Sequence, residues 1–499
     1  VTDSAGEFPR LTRRIVPAPV RPERVLFFGT GNFLRAFAGW MIDGLNRCGV
    51  FDGSIVVAQA TPRGLAHKFN EQQGLYTVLI RGVSNGQVHE ERQLITAVSR
   101  ALDPYTDFEA FLACARQPDL RFIISNTTEA GIVFDPNDKP SDRPPAAFPG
   151  KLTRLLLERY RSHPNRGFVL LPCELIERNG DNLREATLAT AAGWHLDAGF
   201  IDWISRANIF ANTLVDRIVP GYPHAEADAI TACCRYSDQL LVASEHYHFW
   251  AIEAPPDIAS ELPLHRAGFN AIWTADITPY RERKVRILNG GHTGVALAAY
   301  LAGRNTVAEC MSDPLLREYL EALLRSEIAP TVPLPEPEVT AFINDTLERF
   351  SNPFLRHLLL SISLNSVSKY KARLLPVLFD YLRLNGRIPA RLAFALAALI
   401  AFYRGTDVRD GALIGTRGGA DYRIQDEPRI LETFAQVWTR NAGSPESITG
   451  AVLSQSGWWG CDLRETPGLT SAVTAHLTAI LDCGIAAALR SAASSTGPS

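Results

Sequence analysis

The chain has 499 residues, of which 46% are hydrophobic and 21% charged, and its net charge is −3. That is ample apolar material for large cores without disulfide or metal staples. The near-neutral balance argues against a basic nucleic-acid binder and against attraction to an anionic membrane surface. A soft prior of ~150 residues per domain allows two to four domains. The eight cysteines form no CxxC pair and read as reduced thiols of a cytoplasmic protein. Residues 1–22 hold arginines and prolines but no apolar stretch of a secretory signal. The longest apolar run, residues 392–403, is too short to span a bilayer and predicts a buried helix.

In chain order, Arg24-Val25-Leu26-Phe27-Phe28 reads as a buried strand, Gly29-Thr30-Gly31 as a turn and residues 36–45 as a helix. Strand, Gly-x-Gly turn and helix make a dinucleotide fingerprint: Gly29 allows the tight turn and Gly31 lets backbone approach a pyrophosphate at the helix N-terminus. The third glycine of the usual pattern is replaced by Leu34. The next strand, 54–59, ends in Gln59 where a ribose-binding acid often stands, and Arg63 follows, so NAD and NADP both stay open. Further strands are expected over 76–80, 94–98 and 120–126, with a helix over 107–116. The last strand delivers Glu129 to the edge where α/β sheets bind ligands, although such an acid also caps following segments. Strand 167–172 runs into Cys173-Glu174-Leu175-Ile176. Asn179-Gly180 reads as a turn, with Asp181 capping the helix after it. Asp216-Arg217, in an apolar segment over 212–220, fits an internal ion pair or a site carboxylate. His246 and His248 would share a strand face, but no further His or Cys motif completes a metal site, so none is expected.

From about residue 279 the pattern turns helical, over 284–301, 314–326, 338–350, 353–374, 389–403, 430–439, 447–453 and 469–489. The polar stretch 405–419 reads as a surface loop and 491–499 as a frayed tail. The first of these helices carries Lys284, Asn289 and His292. At 3.6 residues per turn, Asn289 lies ~140° and His292 ~80° round from Lys284, so all three reach one cleft. An amine, an amide and an imidazole on one face suit proton transfer from an alcohol; a solvated helix start and a structural histidine give the same pattern. The fold class expected is α/β: a Rossmann-like dinucleotide-binding domain over 1–278 and a mainly α-helical domain over 279–499, with a site at their junction.

The motifs Gly29-x-Gly31-Asn-Phe-Leu-Arg35 and Lys284-x4-Asn289-x2-His292 resemble those of the polyol-specific long-chain dehydrogenases, the mannitol dehydrogenase family. So do Ser125-Asn-Thr-Thr-Glu-Ala-Gly131, Asn179-Gly-Asp, Leu214-Val-Asp-Arg-Ile218 and residues 392–405. The resemblance covers nearly the whole chain, and Cys173-Glu-Leu-Ile is similar to the hexuronate-reductase branch. It implies an NAD-dependent dehydrogenase acting on a small hexuronate or aldonate. No nucleic-acid or membrane partner is expected, and the protein would be a monomer or small homo-oligomer. It further implies Lys284 as general acid–base, Asn289 as stabiliser of the developing alkoxide, His292 as orienter of substrate and Glu129 in proton exchange with solvent. Asp216 and Lys369 would be substrate-binding. The cofactor-binding candidates are Gly29, Gly31, Asn32, Phe33, Arg35 and Gln59. Leu175 stands where the mannitol branch has a second oxyanion-hole Asn, and Ser361 where it has a substrate-binding Arg. Lys369, Lys371, Arg286 and Arg373 are candidate partners for a uronate carboxylate. The residues leave open another hexuronate, a polyol, a uronate epimerase using bound NAD and a non-catalytic nucleotide sensor.

Overall fold

Strand β1 (Glu23–Phe28) is buried on both sides, and its side chains alternate between two cores. Val25 and Phe27 enter one core, Leu26 and Phe28 the other. A strand covered on both faces needs apolar residues at every position, which explains the unbroken run Val-Leu-Phe-Phe. The computed structural model describes residues 8–127, 131–441 and 443–494. It divides into two compact units: residues 1–82 with 87–277, and residues 83–86 with 278–499.

In the first unit the strands in chain order are β1, β2 (Ser54–Ala58), β3 (Tyr76–Ser84), β4 (Gln87–Ile95), β5 (Val98–Leu102), β6 (Phe122–Ser125), β7 (Val169–Pro172), β8 (Ile209–Phe210), β9 (Asn212–Asp216), β10 (Val242–Glu245), β11 (Phe249–Glu253) and β12 (Ala271–Thr274). Six of them form one sheet in the order β5-β2-β1-β6-β7-β8. Every neighbouring pair in it is parallel. Counting only these six along the chain, the order is 3-2-1-4-5-6, the doubly wound dinucleotide-binding arrangement. The order reverses between β1 and β6, so the crevice beyond their C-terminal ends is the expected ligand site. Two three-stranded sheets, β10-β3-β4 and β12-β11-β9, complete the unit.

The helix after β1 runs over residues 32–47 and contains a π-helical segment, Arg35–Gly39. The Tyr76 hydroxyl donates to the Arg35 carbonyl at 2.9 Å, satisfying an acceptor within that irregular stretch. The segment read as an Asn179-Gly180 turn is instead the start of helix Asn179–Gly193. Its N-cap, Arg178, has φ 49°, so the turn lies one residue earlier; Asp181 sits in the first turn, paired with Arg178 at 2.6 Å.

In the second unit one continuous helix spans residues 278–301, and Gly290–Leu301 is nearly all buried. It packs against the apolar helix Ala390–Phe402, which in turn packs on Leu469–Cys483. Another side of the same helix packs closely on the segment Leu323–Ile328, where a Cβ on Gly294 would stand 2.5 Å from the Leu323 side chain. The expected helix over 353–374 is broken into Leu359–Ile362 and Ser366–Arg373 at Asn365, whose φ is 53°. The expected helix over 469–489 breaks at Gly484, φ 80°, and Ile485–Ser494 takes in part of the expected tail. The expected surface loop over 405–419 pairs into a three-stranded antiparallel sheet, β13 (Val408–Arg409), β14 (Ala412–Arg417) and β15 (Ala420–Ile424). No helix among the described residues is long and apolar enough to cross a membrane.

Candidate active site

The crevice at the β1–β6 switch point is a cavity of about 570 Å³. Gly29, Thr30 and Gly31 beyond β1, Ala60 and Thr61 beyond β2, and Asn126 and Thr127 beyond β6 line it, together with Ala147 and Phe148. Gly29 has φ +127°, and a Cβ there would lie 3.2 Å from the Asn126 carbonyl oxygen. Gly31 has ordinary extended geometry, and a Cβ there would meet nothing within 4 Å. The two glycines therefore differ: Gly29 serves the turn, whereas Gly31 leaves space open at a helix N-terminus whose first N–H groups lack intrahelical partners. Such a cradle fits a dinucleotide pyrophosphate.

The other cofactor candidates sit differently. Asn32 is exposed and accepts from Arg35 Nη2 at 2.5 Å. Phe33 stacks on Phe37 at 4.9 Å and packs against the core. Arg35 is buried and also donates to the Leu240 carbonyl. Gln59 is buried beneath the 60–66 turn, donating to Pro62 O and accepting from the Ala66 N–H, both at 3.3 Å. None of these four lines the cavity.

Two residues to which sequence reasoning gave no role of their own hold residues of the cavity lining from behind. Glu174 is buried, and its carboxylate accepts from Ser125 Oγ (3.1 Å), Thr127 N (2.9 Å) and Thr127 Oγ1 (3.1 Å). It ties the end of β7 to the end of β6. Burial pushes its carboxyl above the usual range, against the pull of those hydrogen bonds. The sequence signals were an acid two residues beyond an apolar strand and its place in the Cys173-Glu-Leu-Ile motif. Lys151 is buried too, donates to Ala146 O at 2.6 Å and is lowered by burial to about 8.

In the second unit, Lys284–Asn289 is a π-helical segment inside the 278–301 helix. The ideal-helix angles expected from the sequence do not apply across it: with i→i+5 bonding, Asn289 comes round close to the azimuth of Lys284. Ile287 and Leu288 are buried, while Val285 is half-buried. Lys284, Asn289 and His292 are half-buried on this one helix. Among the described residues the Asn289 side-chain amide has no hydrogen-bond partner, and its carbonyl accepts from Thr293 Oγ1 at 2.9 Å. His292 stacks on Phe350 with ring centroids 4.0 Å apart and meets His357 edge-on at 4.8 Å. Its Nδ1 is buried with no partner. Burial, then His357, Arg349, Arg373 and Lys369, hold the imidazole well below its usual pKa, so it is neutral at physiological pH.

Lys369 donates to Ile362 O at 2.8 Å, and Arg373 to Thr293 Oγ1 at 3.1 Å. Arg286, another carboxylate candidate, is engaged by Asp380 at 2.7 Å and Glu282 at 3.4 Å. Lys371 and Ser361 are exposed. In the first unit Asp216 is buried at the end of β9. Its neighbour Arg217 donates to Glu245 O (2.9 Å) and Ala36 O (2.6 Å) and lies over the Trp40 ring. Leu175 is 66% exposed. Glu129 lies outside the described residues. His248 accepts from the Asn270 N–H at 3.0 Å, and burial lowers it to about 3.

The doubly wound sheet with a glycine cradle at its switch point defines a dinucleotide-binding protein. Residues 23–266 match the mannitol dehydrogenase Rossmann domain, and residues 276–481 match the mannitol dehydrogenase C-terminal domain. The chain belongs to the mannitol dehydrogenase family of oxidoreductases. It is 42% identical over 487 residues to altronate oxidoreductase of Klebsiella pneumoniae, covering 96% of this chain and 99% of that protein. It is also 42% identical over 471 residues to altronate oxidoreductase of Bacillus subtilis, covering 94% and 95%. Its fold is similar to a substrate-free D-sorbitol dehydrogenase at TM-score 0.79 and 22% identity, covering 96% of this chain and all of the other. The ternary complex of Pseudomonas fluorescens mannitol 2-dehydrogenase with NAD and D-mannitol gives TM-score 0.66 and 23% identity, covering 97% and 99%.

Proposed function

We propose that the protein is an NAD-dependent reductase interconverting D-tagaturonate and D-altronate in hexuronate catabolism. The observation that carries this reading is the 42% identity, end to end, with proteins named altronate oxidoreductase. The Gly29–Gly31 cradle supports a dinucleotide, and the resemblance makes it NAD. When bound, the nicotinamide supplies hydride to the keto carbon or accepts it from the carbinol carbon.

The remaining chemistry falls to the chain's own residues. Lys284 accepts the alcohol proton in oxidation and returns it in reduction. Asn289 donates its amide to the developing alkoxide, a role supported by the amide's lack of other partners among the described residues. His292 stays neutral, with its ring plane held by Phe350, and orients the substrate hydroxyls through a ring nitrogen. Asp216 and Lys369 bind substrate, and Glu129 passes protons to solvent. The aliphatic Leu175 cannot donate a hydrogen bond, so the oxyanion rests on Asn289 with a partner other than residue 175.

The test is NADH oxidation by the purified protein with a panel of keto-hexuronates and ketoses. Tagaturonate should give the highest kcat/KM. A higher kcat/KM with fructuronate or fructose would assign a different substrate to the same site.

A further inference from the structure

Several arginines of the second unit hold a carboxylate: Arg286 faces Asp380, Arg304 faces Asp313, Arg391 faces Glu327 and Arg464 faces Asp462. Lys369 and Arg373 make no such close pair among the described residues. Each is half-buried, and among the described residues neither has a carboxylate oxygen within 4.0 Å; Asp426 acts on Lys369 from farther off, and no carboxylate offsets the burial of Arg373. Their hydrogen bonds go to neutral oxygens, Ile362 O for Lys369 and Thr293 Oγ1 for Arg373. They lie four residues apart on helix Ser366–Arg373, so they share a face. Placing two like charges there, partly out of water, is unfavourable unless an anion joins them.

The position of the pair follows from a short chain of hydrogen bonds. Arg373 donates to Thr293 Oγ1, and Thr293 Oγ1 donates to Asn289 O. The guanidinium is thereby anchored one turn beyond Asn289 on the helix that carries Lys284 and His292. Thr293 uses one Arg373 nitrogen, leaving the rest of its planar fork for a bidentate partner. Lys371 points to solvent and Arg286 is already paired, so the geometry selects among the cations of this region.

We propose that Arg373 binds the substrate carboxylate, with Lys369 beside it, and so sets the preference of this enzyme for hexuronates over uncharged polyols. This rests on the reading that the substrate is a hexuronate. The experiment compares the wild type with Arg373→Met and Arg373→Lys in steady-state reduction of tagaturonate, fructuronate and D-fructose with NADH, alongside thermal melts. Met keeps the apolar stem, and Lys keeps the charge without the fork.

The expected result for Arg373→Met is a KM for tagaturonate raised roughly 30-fold or more, the loss associated with a charge-assisted hydrogen bond. Its kcat should fall much less, and its kcat/KM for D-fructose should stay within about 3-fold of wild type, since no charge is there to bind. Arg373→Lys should recover part of the affinity. Equal losses on tagaturonate and D-fructose, or an unchanged KM for tagaturonate, would overturn the assignment. If the wild type prefers fructuronate, the tagaturonate reading falls, and the same ratio taken with fructuronate decides Arg373. A wild type that prefers D-fructose to both uronates overturns both.

Discussion

Lys284 and the two cradle glycines allow the site to be tested one side chain at a time. Replacing Lys284 by Met removes the proposed proton carrier and keeps the stem. We expect kcat to fall roughly 10²- to 10⁴-fold, with the melting temperature little changed. Unchanged turnover would remove Lys284 from the mechanism. Gly29 and Gly31 make an internal control. With φ +127° and a carbonyl 3.2 Å from the added Cβ, Gly29→Ala should cost about 1–3 kcal/mol of stability. Gly31→Ala meets no protein atom, so its stability should change by no more than about 0.5 kcal/mol while its Kd for the dinucleotide rises. Fluorescence titration of NADH against both variants reads this, and wild-type affinity in Gly31→Ala would refute the cradle.

At the scale of elements, the join between β7, helix Asn179–Gly193 and β9 depends on one amide. Asn179 is buried and donates to Pro172 O, Glu174 O and Thr213 O at 3.0–3.1 Å, and it accepts from the Thr213 N–H at 2.8 Å. Truncation to Ala leaves buried backbone groups unpaired. Denaturant unfolding should therefore show a loss of about 3 kcal/mol. A loss below 1 kcal/mol would show that these groups find other partners. The sequence suggested a turn here because Asn-Gly favours one locally. Tertiary contact overrides that preference, since a Cβ on Gly180 would stand 2.3 Å from Ala211 O, so this glycine serves close packing of a helix on a strand. The π-helical segment at Lys284–Asn289 was equally hidden: no residue pattern distinguishes one extra residue in a helical turn, yet it rephases the proposed catalytic face.

For the molecule as a whole, buried imidazoles couple folding to pH. His248, His292, His357 and His476 are all held below the usual histidine value by burial. The unfolded chain then binds protons that the folded chain refuses, so each such group lowers stability as pH falls below about 6.5. For His248 the window extends from there down to its folded value of about 3. Carboxylates such as Glu174, raised by burial, act in the opposite direction, so the contribution of one imidazole is read by difference. His248→Phe keeps an aromatic beside Trp40 and Phe269 and should lose less melting temperature than wild type between pH 7.5 and 5. An equal or larger loss in the variant would contradict the sign.

By itself the sequence determined the doubly wound domain, because strands buried on both faces need continuous apolar runs and the Gly29–Gly31 turn announces itself at the end of the first. It also determined the helical character of the second half, and it put Lys284, Asn289 and His292 on one helix, because that information is local. Tertiary structure alone decided which polar groups are free to act. Arg35 and Gln59 are spent on their own backbone surroundings, Arg286 on Asp380, and Glu174 on the ends of two strands, whereas the hydrogen bonds of Arg373 and Lys369 go to neutral oxygens. These outcomes depend on partners tens to hundreds of residues away, and spacing along the chain carries no record of them.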